Sequence, residues 1–88
     1  MATKRILVVD DDTYVRGATE EILIRKGYNV DTAGDAGSAL RKLEDADYDL
    51  LLSDIKMPGM SGLELLEQVR TRWSDLTVIL MTAYGTIE

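Results

Sequence analysis

The sequence predicts an α/β fold built on a parallel sheet with helices on both faces. Three observations lead there. Two short apolar runs, Ile6 to Val9 and Leu50 to Leu52, are each followed by an aspartate within two residues, which suits buried strands carrying carboxylates at their carboxyl ends. Other stretches place apolar residues three or four apart, the spacing of helices that bury one face. Strands and helices alternate along the whole chain, and right-handed crossovers then make the sheet parallel.

Ile6, Leu7, Val8 and Val9 form a β-branched-rich first strand that ends at Asp10, Asp11 and Asp12. Asp12 or Thr13 can cap the following helix, expected to run to about Lys26 with Val15, Ala18, Ile22 and, at its margin, Leu23 on the inner face. Gly27 closes that helix as the residue past its C-cap. Asn29 to Ala33 is a less apolar strand, suited to a sheet edge. Asp35 opens a second helix to about Glu44, which buries Ala36, Ala39, Leu40 and Leu43. Leu50 to Leu52 begin the third strand, because Pro58 and Gly59 leave no room for a helix to continue, and Asp54 stands at its carboxyl end. Pro58 fixes its own φ and biases Met57 towards extended backbone, while Gly59 and Gly62 permit a sharp reversal around the carboxylate. A third helix is expected from Leu63 to about Trp73, with Leu63, Leu66, Val69 and Arg70 marking its pattern. Leu76 to Met81 is a fourth strand, and Thr82 to Glu88 begin a new element.

Eighty-eight residues make one small domain. With 45% apolar and 30% charged residues it has the balance of a globular chain, with no low-complexity tract or repeat. A net charge of -6 argues against direct binding to a nucleic-acid backbone, which depends on clustered Lys and Arg. Cysteine and histidine are both missing, which removes disulfides, thiolate chemistry and the usual general base. A bound metal would therefore have oxygen ligands and be a hard cation. The run Ile6 to Val9 is too short for a signal peptide or membrane span, so no membrane association is expected and the cytoplasm is the expected compartment.

Sequence alone leaves the strand order open. If the first strand lies between the second and third, Asp10, Asp11 and Asp54 converge in the crevice beyond the strand ends, where open α/β sheets bind ligands. Three carboxylates there repel one another unless a cation is present. Mg²⁺ suits the site, since it is usually held by one or two carboxylates plus phosphate oxygens, and it offsets the charge of a phosphoryl group approaching a carboxylate nucleophile.

ILVVDDD, LLLSDIKMPGMSG and VILMTAY, in this order and spacing, resemble the receiver domain of two-component response regulators, over the whole chain. The resemblance implies a flavodoxin-like sheet in the order 2-1-3-4-5. It implies Asp54 as phosphoacceptor, taking a phosphoryl group from the phosphohistidine of a sensor histidine kinase. Asp10 and Asp11 match the acidic pair that holds Mg²⁺, with Asp11 the direct ligand and Asp10 acting more often through water, and Lys56 the position whose backbone carbonyl completes the metal site. Thr82 matches the switch hydroxyl that hydrogen-bonds a phosphoryl oxygen, and Ala83 the small residue that leaves the phosphate accessible. SDIKMPGMSGLELL and the GTIE after MTAY are similar to receivers of enhancer-binding transcription activators, so the implied output is transcription.

Family members continue through a fourth helix, a fifth strand ending in a lysine, and a fifth helix. Residues 1–88 are accordingly expected to be a receiver domain incomplete at its C-terminus, in which Lys4, Lys26, Lys42 and Lys56 do not match that lysine. Two other readings follow from the residues. An open edge on the fourth strand would make the chain an assembly fragment that dimerises through the edge or its C-terminal face, with an incomplete site. An aspartate-nucleophile phosphatase of the haloacid dehalogenase type would place DxDx[TV] after the first strand; Asp10 and Asp12 fit, but Tyr14 takes the final position.

Overall fold

The computed structural model describes residues 3–81 of the chain. Its elements run β1 (Arg5–Val9), α1 (Thr13–Arg25), β2 (Asn29–Ala33), α2 (Ala36–Asp45), β3 (Leu50–Asp54), α3 (Gly62–Arg72) and β4 (Thr77–Met81). The strands form one parallel sheet in the order β2-β1-β3-β4. The expected order is thus observed, with the less apolar β2 at an edge.

Alternation along the strands divides the buried residues between two faces. Leu7, Val9, Ala33 and Leu51 point towards α2 and α3, where Ala36, Ala39, Leu43, Met57, Leu65 and Val69 complete the core. Ile6 and Val8 point the other way and are also buried, on the side where α1 packs over β1 and β2. α2 follows the sequence reading closely: Asp35 is its N-cap, accepting a hydrogen bond from the Ser38 N–H, and Leu40 is half-buried against the core.

Two helix faces differ from expectation. In α1 no residue is buried, Val15 and Ile22 are 44% and 56% exposed, and the more enclosed positions are Arg16, Thr19, Glu20 and Leu23. The helix covers β1 and β2, so its most apolar row is turned to its flank. In α3 Val69 is buried as expected, but the rest of the inward stripe lies one position before the expected one. Gly62, Leu65 and Val69 face inward, Leu66 is half-buried, and Leu63 and Arg70 are exposed. The shift follows from the helix start: Ser61 and Glu64 form a reciprocal capping box, and the Gly62 N–H donates to the Ile55 carbonyl at 2.7 Å.

The amino ends of the strands are tied by a polar network. The Arg5 guanidinium pairs with Asp31 Oδ2 at 3.0 Å and lies 5.0 Å from the centre of the Tyr48 ring, whose hydroxyl donates to the same oxygen at 2.6 Å. The Tyr48 hydrogen bond, with help from Arg5, lowers the Asp31 carboxyl below its ordinary range, while burial and the bond to Asp31 push the Tyr48 phenol up to about 12. The stability from Asp31 is present above its unfolded value near 3.8 and is lost as pH falls through the lower folded value. The stability from the Tyr48 phenol is complete below 10.0 and is lost as pH rises through about 12. Tyr48→Phe is expected to cost about 1 kcal/mol at neutral pH, below the roughly 1.5–3 kcal/mol of a bond to a charged group because Asp31 is partly solvated. Urea unfolding should also show that the variant loses less stability than the wild type between pH 10 and pH 12. Equal losses for the two proteins would refute the assignment.

Candidate functional site

Strand register builds the site. Val9 of β1 stands opposite Ser53 of β3, so Asp10 and Asp54, each one residue further on, end up side by side at the carboxyl edge of the sheet. Carboxylate oxygens of Asp10, Asp11 and Asp54 all lie within 4.8 Å of one another. The expected convergence is therefore present.

Each aspartate is held differently. Asp10 is 3% exposed, and its Oδ1 accepts from the Asp12 N–H at 2.9 Å. Asp54 is 7% exposed, and its Oδ1 accepts a long 3.3 Å bond from the Lys56 N–H, while Ser53 Oγ donates to the Asp54 carbonyl at 2.9 Å. Asp11 is exposed. Asp12 belongs to the helix: its Oδ1 accepts from the N–H groups of Tyr14 and Val15, which settles the choice of cap between Asp12 and Thr13. Burial raises the Asp10 carboxyl above its ordinary value, the bond from Asp12 opposes this, and the charges of Asp54, Asp11 and Asp12 add to it. A buried acid crowded by like charges is the environment a cation relieves.

The loop after β3 flanks Asp11. Met57 is buried, Gly59 takes the left-handed turn with φ 78°, and Ile55, Lys56, Met57, Pro58 and Ser61 line with Asp11 an open cleft of about 520 Å³. Gly62 has a different part from the reversal expected of it. A Cβ there would stand 2.2 Å from the Asp54 carbonyl oxygen, so its lack of a side chain is what allows α3 to start against the end of β3.

The sequence reading missed Arg16. Its guanidinium reaches back from α1 to donate to the Asp10 carbonyl at 2.8 Å. Such a bond to backbone leaves no residue pattern to find. Thr82 and Ala83, expected at the end of β4, lie outside the described residues; Met81, just before them, is the register partner of Asp54.

The donor set is all carboxylate oxygen, two of the three side chains being buried at strand ends, which fits a small hard cation such as Mg²⁺. Among the described residues no helix is long and apolar enough to cross a membrane.

Comparison with known proteins points the same way. Response regulator protein FleR of Pseudomonas aeruginosa is 41% identical over 88 residues, covering all of this chain and 18% of FleR. The DNA-binding transcriptional regulator NtrC of Escherichia coli K12 is 41% identical over 83 residues, covering 94% of this chain and 18% of NtrC. The chain thus spans less than a fifth of the length of these relatives. The response regulator protein TrrA of Thermotoga maritima, solved in complex with Mg²⁺-BeF, superposes with a TM-score of 0.90 at 46% identity, over 94% of this chain and 72% of TrrA. A structure of the histidine kinase ThkA in complex with TrrA gives a TM-score of 0.89 at 45% identity, over 96% of this chain and 72% of that one. A family profile described as the response regulator receiver domain matches residues 6–88. With the sheet order, the acidic cluster and this match in agreement, the chain belongs to the receiver domains of two-component response regulators.

Proposed function

We propose that Asp54 takes a phosphoryl group from the phosphohistidine of a sensor histidine kinase, and that the phosphorylated protein changes its partner-binding face to control transcription. The observation that carries this reading is the convergence of Asp10, Asp11 and Asp54 within 4.8 Å at the carboxyl ends of β1 and β3. Mg²⁺, when bound, would offset part of the negative charge of the carboxylates and of the oxygens of the incoming group. Asp10, Asp11, Asp54 and the Lys56 backbone carbonyl are the residues that would hold it. An Asp54 oxygen forms the new bond to phosphorus as the phosphorus–nitrogen bond breaks, and the departing imidazole nitrogen keeps that electron pair. Thr82 would donate its hydroxyl to a phosphoryl oxygen, and Ala83 would leave the group accessible. The protein would in this way promote its own phosphorylation and dephosphorylation, in the cytoplasm. Membership of the family supports the reading over a phosphatase, and the ThkA–TrrA complex supports the donor class. The DNA-binding transcriptional regulator NtrC supports the output.

Intact mass measured before and after acetyl phosphate with Mg²⁺, with Asp54→Asn in parallel, tests it. One phosphate on the wild type alone is expected. Labelling of both proteins, or of neither, would overturn the assignment of Asp54 in this protein.

A second reading, assembly, has its own observation. The outer side of β4 has no strand partner among the described residues, and Ile79, Val15 and Ile22 are all more than two-fifths exposed. Such an edge is a template for a second copy. Sedimentation equilibrium would show dimers that dissociate on dilution; a monomer at high concentration would rule this out.

A further inference from the structure

We infer that Arg16 is the positioning residue of the acidic pair, an inference that rests on the proposed Mg²⁺ site and extends it to a group outside the motifs. Three contacts carry it. The half-buried guanidinium donates from Nη1 to the Asp10 carbonyl at 2.8 Å, bridging six residues from α1 back to the end of β1. The Asp10 N–H donates to the Ala33 carbonyl at 3.1 Å, so the two peptides flanking Asp10 are both held, one from β2 and the other from α1. Next along the chain is Gly34, and a Cβ built there would stand 3.2 Å from Arg16 Nη1 and 3.8 Å from Cζ. The guanidinium therefore occupies the space a side chain at position 34 would need.

Asp10 is the hinge between a rigid strand and a capped helix. Its carboxylate accepts from the Asp12 N–H, Asp12 in turn caps α1, and Arg16 sits on α1 one turn in. The result is a closed ring: β1 to Asp10, Asp10 to Asp12, Asp12 to α1, α1 through Arg16 back to Asp10. Opening the ring at Arg16 frees the Asp10 carbonyl while removing none of the three carboxylates. Arginine suits the task because its planar fork stays charged and can lie flat against a glycine, whereas lysine offers one compact ammonium on a flexible stem.

The test uses Arg16→Ala, Arg16→Lys and Gly34→Ala in the full chain, with two readouts. The first is hydrogen exchange of the Asp12 amide by NMR without metal, with the amide of buried Leu51 as internal reference. The second is Mg²⁺ affinity by calorimetry. Arg16→Ala is expected to speed exchange at Asp12 several-fold while sparing Leu51, and to weaken Mg²⁺ binding about tenfold, the lower end of the loss seen when a group supporting metal ligands is removed. Arg16→Lys should recover part of both, and Gly34→Ala should fall between Arg16→Lys and Arg16→Ala. Unchanged Mg²⁺ affinity in Arg16→Ala, or exchange that rises equally at Asp12 and Leu51, would overturn the inference. If the wild type binds no Mg²⁺ yet Arg16→Ala still loosens Asp12 alone, the metal reading fails and the positioning of the Asp10 loop stands.

Discussion

Asp54→Asn is expected to abolish phosphate uptake and, in chelator, to make the protein more stable. The two effects share a cause. Asp54 stands within 4.8 Å of two other carboxylates, and its own side chain is buried. Two like charges at about 4 Å repel by roughly 1 kcal/mol in water and roughly 4 kcal/mol at the effective dielectric near a protein surface. Asparagine keeps an oxygen that can accept the Lys56 N–H and removes the charge. With Asp11 exposed and screened, a net gain of about 1 kcal/mol is the conservative expectation. For a domain of this size that corresponds to about 4–8 °C in Tm. Mg²⁺ should reverse the order. At about one hundred times its dissociation constant a ligand of the folded state stabilises by about 2.7 kcal/mol, and only the wild type has the full set of carboxylates to respond. Calorimetric melting of both proteins in chelator and in Mg²⁺ reads this crossover directly. Equal Mg²⁺ stabilisation of the two proteins would show that the ion binds elsewhere.

The parts of this site legible in sequence are those fixed by strand geometry. A short apolar run closed by an aspartate places that carboxylate at a strand end whatever the packing around it, so Asp10 and Asp54 could be located before their neighbours were known. Their convergence needed the strand order, which came from family resemblance, and the register, in which Val9 faces Ser53. Helix rotation was less legible. Val15 and Ile22 read as an inner face because they are apolar, yet α1 leans on β1 and β2 with Leu23, expected only at the margin of that face, and Arg16 among its more enclosed residues. In α3 the inward row begins at a glycine, which a search for apolar spacing passes over. Contacts to backbone, such as Arg16 on the Asp10 carbonyl, and side-chain bonds between distant residues, such as Tyr48 on Asp31, carry no periodicity at all.

Gly62 is where the fold and the site depend on the same atom. A methyl at this position meets the Asp54 carbonyl oxygen at 2.2 Å, Ile55 Cα at 2.9 Å and the Asp54 carbonyl carbon at 3.0 Å. All three are backbone, so no rotamer change relieves the contact. To admit it, either α3 must withdraw, breaking the Gly62 to Ile55 hydrogen bond and lifting Leu65 and Val69 from the core, or the end of β3 must move and take Asp54 with it. Gly62→Ala is therefore expected to cost about 3 kcal/mol or more, at or beyond the usual upper end for overpacking, a large share of the roughly 5–15 kcal/mol that holds a domain together. Gly59→Ala is the control. Gly59 has φ 78° but nothing within 4 Å of its absent Cβ, so its cost is conformational, about 1–2 kcal/mol. If urea unfolding found Gly62→Ala no worse than Gly59→Ala, the close approach of α3 to Asp54 would be wrong. If Gly62→Ala is instead the more damaging and the surviving folded protein also loses Mg²⁺ affinity, the helix start and the acidic site are one structural unit, joined at the Asp54 peptide.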